Sequence, residues 1–347
     1  MKKTGKVLLA AAIPAAAYIG WRLGAQTTTE PVDTEDGIAE LRPVRVRGTN
    51  LWTMIRGHHR DNPVIVFVTG GPCGTEIPLC RKYERQLEEL FTIVHYDQRG
   101  AGKSFEFGKD YSTLSSEVHV ADLIALVEYI RDYLHKDKVI LVGHSYGTYL
   151  GTQAAAVKPE YFRAYVGIGQ MADTRMSEIE SAGLCIDAAA RAGNDQDVKK
   201  LKEILEKVRR GETFTPRKYV RKYGFSERKN HHMERDLLLT AFFGKEYNLA
   251  DLLKFFYSIN KYSLPLVMEA IGNPVSARVK ELKVPVYFLM GKYDGMTCTG
   301  AAEKYYRQLV KEKGEFVVFE NSAHTPQVEE NEAFTVWMAE HFGKDRT

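Results

Sequence analysis

Apolar residues in this chain fall into two rhythms. Nearly unbroken runs occur at Pro63 to Val68, Phe91 to Val94, Lys138 to Val142, Tyr165 to Ile168, Val284 to Met290 and Phe316 to Phe319. Lacking polar alternation, they predict strands buried on both faces. Between them lie stripes at helical spacing: Tyr83, Leu87 and Leu90 within 82–90, and Leu123, Val127, Ile130 and Leu134 within 116–134. The segments 300–310 and 331–342 are predicted as further helices. Val44 to Val46 and Leu51 to Ile55, separated by Gly48-Thr49-Asn50, predict a hairpin at the sheet edge. Strand and helix alternate, so the class is α/β, with a mostly parallel central sheet, right-handed crossovers and flanking helices.

The alternation breaks after Gln170. From Asp173 to about Lys283 there is no buried-strand run, only helical stripes such as Val198, Leu201, Leu205 and Val208, closed by Gly211. This predicts a helical cap over 173–283, inserted into a core formed by 42–172 and 284–347. Residues 27–41, rich in threonine and acids, read as a linker. No internal repeat is apparent.

Length and composition narrow the picture. A chain of 347 residues, 44% hydrophobic, buries a large core, as one big domain with an insertion or as two ordinary ones. Lys2, Lys3 and Lys6 precede an uncharged run from Val7 to Trp21 that ends at Arg22. Fifteen uncharged residues with Pro14 inside are short for a spanning helix. Residues 1–26 therefore read as a signal sequence, with a passable cleavage site at Leu23-Gly24-Ala25, or as an uncleaved membrane anchor with Arg22 snorkelling to the interface. Either places the body outside the cytoplasm. Without those residues the chain carries 44 basic against 45 acidic side chains, and no nucleic-acid footprint is visible. Cys73, Cys80, Cys185 and Cys298 are too few for a disulfide scaffold and lack metal-ligand spacing. A Cys73–Cys80 bridge is conceivable outside the cell, but unpaired buried thiols are the favoured reading.

The chemistry gathers around Lys138 to Leu150, where an apolar strand runs into Gly143-His144-Ser145-Tyr146-Gly147 and then a helix-compatible segment. This is a nucleophile elbow, tight enough that side chains at Gly143 or Gly147 would strike neighbouring backbone. An alcohol is a poor nucleophile at neutral pH, so Ser145 needs a base and a group that fixes the base's tautomer. In the α/β-hydrolase arrangement these follow in the order serine, acid, histidine, on loops after strands. The two strands after the cap end in Gly291-Lys292-Tyr293-Asp294-Gly295 and Asn321-Ser322-Ala323-His324-Thr325-Pro326. Asp294 and His324 therefore complete the triad; His144, as an elbow neighbour, points away from the position a base must occupy. The oxyanion donors are expected at the amides of Tyr146 and Gly71, the latter because Pro72 has no N–H. The stretch Asp97 to Ser104 ends in Gly-Lys-Ser but has Asp97 where a phosphate loop requires glycine.

Asn62-Pro63 leading to Gly70-Gly71-Pro72, then Asp97-Gln98-Arg99-Gly100-x-Gly102-x-Ser104 and the Ser145 elbow, together resemble the α/β-hydrolases that include the prolyl aminopeptidases. The resemblance spans roughly Arg42 to the C-terminus. It implies a serine hydrolase that removes an N-terminal residue, often proline, from a peptide without metal or cofactor, and whose cap acids hold the substrate amine. Glu178 and Glu180 at the start of the cap are the candidates here. Two positions depart from the pattern: Thr69 stands for the family's histidine and Cys73 for a glycine, which puts peptidase specificity in question. A carboxylesterase of small substrates, or a silent binding protein of the same fold, remain as alternatives. Residues 199–235 hold thirteen Lys or Arg against five Asp or Glu, a wet outer face or a preference for acidic partners.

Overall fold

Side chains along a strand alternate between faces, and the run at Val64–Val68 shows what that does here. Val64, Val66 and Val68 join one hydrophobic cluster with Leu123, Val127, Ile130 and Leu150, while Ile65 and Phe67 join another with Phe334 and Met338. The computed structural model describes residues 17–18, 20–228, 232–309 and 313–343. Its eight strands are β1 (Ile38–Val46), β2 (Thr49–Gly57), β3 (Val64–Val68), β4 (Thr92–Tyr96), β5 (Val139–His144), β6 (Phe162–Ile168), β7 (Val286–Gly291) and β8 (Gly314–Phe319). They form a single sheet in the order β1-β2-β4-β3-β5-β6-β7-β8. The pairs β1/β2 and β2/β4 are antiparallel, and every pairing from β4 to β8 is parallel.

One face carries α1 (Ser116–Leu134) and α2 (Tyr146–Val157). Helix α1 starts where the Ser115 side chain accepts the Val118 amide and stops at His135 in the left-handed region, φ 53. Between β6 and β7 come the cap helices α3 (Thr174–Arg191), α4 (Asp195–Arg209), α5 (Arg217–Lys222), α6 (Met233–Phe243) and α7 (Leu249–Gly272). The cap has an apolar cluster of its own around Cys185, Leu201, Tyr219 and Val220. Helices α8 (Thr299–Leu309) and α9 (Asn331–Phe342) complete the fold, with Phe334 and Met338 of α9 on the second face of the sheet.

Three expectations require correction. The hairpin strands are longer than their apolar runs, and Ile38 already belongs to β1, so sheet pairing begins inside the segment 27–41 read as a linker. The start of that segment is also held to the body: Thr27 Oγ1 accepts from Lys103 Nζ at 2.9 Å, and Thr29 Oγ1 from Arg56 Nη1 at 2.7 Å. Two of the threonines that suggested a linker, Thr27 and Thr29, are acceptors for buried cations. The helix expected over 82–90 is broken at Glu84, φ −120 and ψ 4, into single turns at Cys80–Tyr83 and Arg85–Glu88. There the Glu84 carboxylate is bound to buried His95 Nε2 at 2.8 Å. The favoured reading of the cysteines holds: all four are buried and free, so Cys73 and Cys80 form no bridge.

Most of the expected signal or anchor lies outside the described residues. Within them, residues 20–24 are helical, and Arg22 is buried rather than at an interface. Its guanidinium donates to the carbonyls of Ala241 at 3.0 Å and Tyr247 at 2.6 Å. Among the described residues no helix is long and apolar enough to cross a membrane.

Ile130 is fully buried between α1 and the sheet. Ile130→Ala is expected to cost about 2–5 kcal/mol of unfolding free energy through lost burial plus the cavity left behind. Val157→Ser, at an exposed position, should stay within about 0.5 kcal/mol. Urea denaturation of both variants checks the pair.

Candidate active site

Strand β5 ends at His144, α2 begins at Tyr146, and Ser145 between them has φ 53 and ψ −122. A non-glycine residue holds such a conformation only when its surroundings fix it. The Ser145 amide donates to the Ile168 carbonyl at 3.0 Å. A Cβ on Gly147 would overlap the Val68 carbonyl, and one on Gly143 would lie 2.7 Å from the Gly147 oxygen. A Cβ on Gly70 would stand 2.9 Å from Ser145 Cβ, so the loop after β3 presses directly on the serine.

That loop is the expected oxyanion site. Gly71 has φ +118, where a Cβ would meet the Gly74 amide at 2.5 Å, and Gly74 N donates to Gly70 O at 3.2 Å. Gly71 lines the same cavity as Ser145. Tyr146 heads α2, so its N–H has no intrahelical partner and lies at the positive end of the helix dipole. Cys73, at φ 60, occupies a left-handed position that glycine fills at no steric cost.

The Asp97 to Ser104 stretch braces this loop. Gln98 Nε2 donates to the Thr69 carbonyl at 2.8 Å, and Arg99 forks onto both oxygens of Asp122 at 2.6 and 2.7 Å. Asp97 accepts the Lys103 amide at 2.7 Å and the Tyr247 hydroxyl of the cap. Burial pushes the Asp97 carboxyl up to about 6, against the opposing bonds from Thr75, Tyr247 and Lys103. The segment is a strut between sheet, oxyanion loop and cap.

His324 and Asp294 meet as the strand order requires. His324 Nδ1 lies 2.9 Å from Asp294 Oδ2, and the carboxylate also accepts the amides of Met296 at 2.7 Å and Thr297 at 3.0 Å and the Thr297 hydroxyl at 2.8 Å. Burial opposes its charge, but the charge and hydrogen bond of His324, with the bonds from Thr297, hold the Asp294 carboxyl below the usual range. Two further acids fix the histidine loop. Glu329 accepts the amides of Ala323 and Thr325 at 3.1 and 3.2 Å. Glu76 binds His144 Nδ1 at 2.9 Å, while His144 Nε2 reaches the His324 carbonyl at 3.2 Å. His144 lines the same cavity as Ser145, but both its ring nitrogens are engaged, by Glu76 and by the His324 carbonyl.

Ser145, His324, Gly70 and Gly71 border a cavity of about 380 Å³ under the cap. Its outer wall is apolar, with Leu238, Phe255, Phe256 and Ile259, and its acids are Glu76, Glu227 and Glu234. Glu178 and Glu180 are not among them. Glu178 is buried and forks onto Arg217, 2.6 Å to Nη2, while accepting the Thr215 amide at 2.8 Å. Glu180 caps α8 through the amides of Gly300 and Ala301, both at 3.1 Å. Both carboxylates are spent inside the cap and on its seam with the core. Glu234 is paired with Arg221 at 2.6 Å. Glu227 has no cation partner among the described residues, and burial, then repulsion by Glu234 and Glu329, raises its carboxyl to about 7. Nothing in its spacing marks Glu227; it sits in a stretch dominated by lysine and arginine.

This architecture is that of a hydrolase, and the chain belongs to the α/β-hydrolase family, whose alpha/beta hydrolase fold matches residues 63–331. Among its relatives is the probable aminopeptidase YbaC of Bacillus subtilis (strain 168), 26% identical over 326 residues, covering 89% of this chain and 98% of the relative. The proline iminopeptidase of Neisseria gonorrhoeae is 32% identical over 108 residues, 30% of this chain and 32% of the relative. Solved structures with the same fold include the proline iminopeptidase of Mycobacterium smegmatis, with TM-score 0.61, 16% identity and coverage of 87% of this chain and 97% of that one. A Vigna radiata epoxide hydrolase is also similar, with TM-score 0.57, 21% identity and coverage of 87% and 98%.

Gly169, at φ +54, leaves room for the imidazole: a Cβ there would lie 2.9 Å from His324 Cε1 and Nδ1. Gly169→Ala is expected to displace the ring and lower kcat on an activated ester by about a hundredfold. Steady-state kinetics on folded protein, verified by circular dichroism, measures the effect; unchanged kcat would remove His324 from the reaction.

Proposed function

We propose that this chain is a serine hydrolase that removes the N-terminal residue of small peptides through an acyl-enzyme. In this reading Ser145 Oγ attacks the carbonyl of the first residue and gives its proton to His324 Nε2. Asp294 holds the Nδ1 proton and stabilises the imidazolium, while the amides of Gly71 and Tyr146 receive the oxyanion. His324 then protonates the departing amine, and water, activated by the same imidazole, releases the residue and restores Ser145. The observation that carries the aminopeptidase reading is Glu227, an acid in the wall of the Ser145 cavity with no cation partner among the described residues. It replaces Glu178 and Glu180 as the group that holds a free amine. The names of the Bacillus and Neisseria relatives support the same activity.

The apolar wall of Leu238, Phe255, Phe256 and Ile259 favours a second reading, an esterase for apolar acyl groups. For location, we infer that the N-terminal segment directs the domain out of the cytoplasm and stays attached, because cleavage after Ala25 would remove the buried Arg22. Fractionation with N-terminal sequencing tests this; a mature chain starting after Ala25, or intact chain only in cytosol, overturns it.

Ser145→Ala should abolish fluorophosphonate labelling and nearly all ester turnover. Absence of labelling in folded wild-type protein would instead favour a silent binding protein. A free prolyl or alanyl anilide should be cleaved and its N-acetylated twin almost untouched, since acetylation leaves the half-buried Glu227 without its cation. Equal rates on the two, or turnover of an ester alone, would exclude an aminopeptidase.

The pH profile gives an independent check. Below about 7 Glu227 is protonated and neutral, and above it is anionic, so kcat/KM for the free-amine substrate should gain a rising limb through that pH, about tenfold per unit on its acid side. Glu227→Gln should remove that limb and raise KM for the free amine, leaving the ester profile as it was.

A further inference from the structure

The outward face of the cap is largely apolar, broken on α7 by the exposed Asn260 and Lys261. Along α7 the side chains of Leu253, Phe256, Tyr257, Leu264 and Met268 are exposed, by 59%, 44%, 44%, 58% and 50%. Their spacing places them on one stripe of a 24-residue helix. Helix α6 exposes Leu238, Leu239 and Phe243 in the same manner. Leu238 and Phe256 also belong to the wall of the Ser145 cavity, so the two stripes meet at its mouth. Most of the large apolar side chains exposed among the described residues lie on these helices and on the N-terminal turn beside them. A contiguous apolar face of this breadth is unusual for a free surface and marks a contact.

The chain's own N-terminus leads onto this face. The Tyr18 ring is 5.9 Å from that of Phe242, Trp21 next to it is 62% exposed, and Arg22 fastens the turn to the end of α6. Before them the sequence is Lys2, Lys3 and Lys6 followed by the uncharged run from Val7 to Trp21. Even as continuous helix, those fifteen residues would reach only roughly 22 Å, short of a hydrocarbon core of about 30 Å. A short apolar segment with basic residues ahead of it suits the surface of a bilayer. Exposed aromatic rings at Trp21 and Tyr257, with Lys261 5.3 Å from the Tyr257 ring, supply the amphipathic groups that settle at headgroup level.

We propose that the α6–α7 face docks flat on a lipid bilayer, so that the mouth of the Ser145 cavity opens at the membrane surface. The occupant of the face is lipid. Amphiphilic substrates already partitioned into the bilayer reach Ser145 without crossing bulk water.

Flotation of the full chain with phosphatidylcholine vesicles, with and without phosphatidylglycerol, tests this. The variant L264E/M268E alters two exposed side chains on α7 outside the cavity and leaves the N-terminal segment whole. Wild-type protein should float with vesicles, and the double variant's partition coefficient should fall by at least about tenfold. Turnover of a water-soluble short-chain ester should be unchanged, which verifies the fold. V336E, at an exposed apolar position on α9, should bind as wild type does. Equal partitioning of the double variant and wild type would assign binding to the N-terminal segment alone and overturn the proposal. So would wild-type protein that stays in the soluble fraction, and so would a dimer in sedimentation that L264E/M268E dissolves, which would make a second copy the occupant.

Discussion

The structure turns on how closely two strand ends approach each other. Val68 of β3 pairs with Gly143 of β5, and past that rung the chains come so near that Gly147 has no room for a Cβ beside the Val68 carbonyl. Ser145 is therefore presented by a backbone that cannot relax away from the oxyanion loop, and Gly70 touches it from the other side. Such contacts supply preorganisation, since the groups that stabilise charge are already in place before reaction. The same geometry opens α2 at the serine, so its first amides, which lack intrahelical partners, begin beside Ser145.

The histidine side is held by polar groups instead of close packing. Asp294, Glu329 and the Glu76–His144 pair occupy buried positions around the His324 loop. An unpaired buried carboxylate would be costly, but each of these accepts hydrogen bonds that offset the loss of water. The serine's position thus depends on absent side chains and the histidine's on satisfied buried charges.

The parallel sheet and the meeting of Asp294 with His324 were legible because each follows from a local pattern. Strand ends were not, and the reason is specific. β4 continues through His95 and Tyr96, beyond its apolar run, because His95 stacks on Phe67 at 4.7 Å and binds Glu84. β2 continues through Arg56 because both its Nε and Nη2 are held by Glu88, at 2.7 and 2.9 Å. A hydropathy pattern shows polar residues as strand breaks; partners distant in sequence make them strand interior. The same blindness misassigned the cap acids. Glu178 reaches Arg217 and Glu180 the start of α8, and neither contact leaves a trace near positions 178–180. Glu227 lies among basic residues whose charge masks it at the level of composition.

Helix α7 shows where a periodic reading stops short. Its inner side buries Leu252, Phe255, Leu266 and Ala270, while its outer side carries the exposed stripe through Leu253, Tyr257 and Leu264. A helix with one wet side would show polar residues opposite its core stripe, and one apolar all round belongs in a core or against lipid. Here the inner side packs on protein, and the outer side, apart from Asn260 and Lys261, presents apolar residues that the described protein leaves exposed. Leu253 and Leu264, each a little over half exposed, each keep about 1–2 kcal/mol of transfer free energy in reserve, which only contact with another apolar phase recovers. Because that surface rims the cavity above Ser145, whatever covers it also determines which compounds can reach Ser145. Access to the site is therefore set by the apolar residues of the cap, and the chemistry by the sheet beneath it.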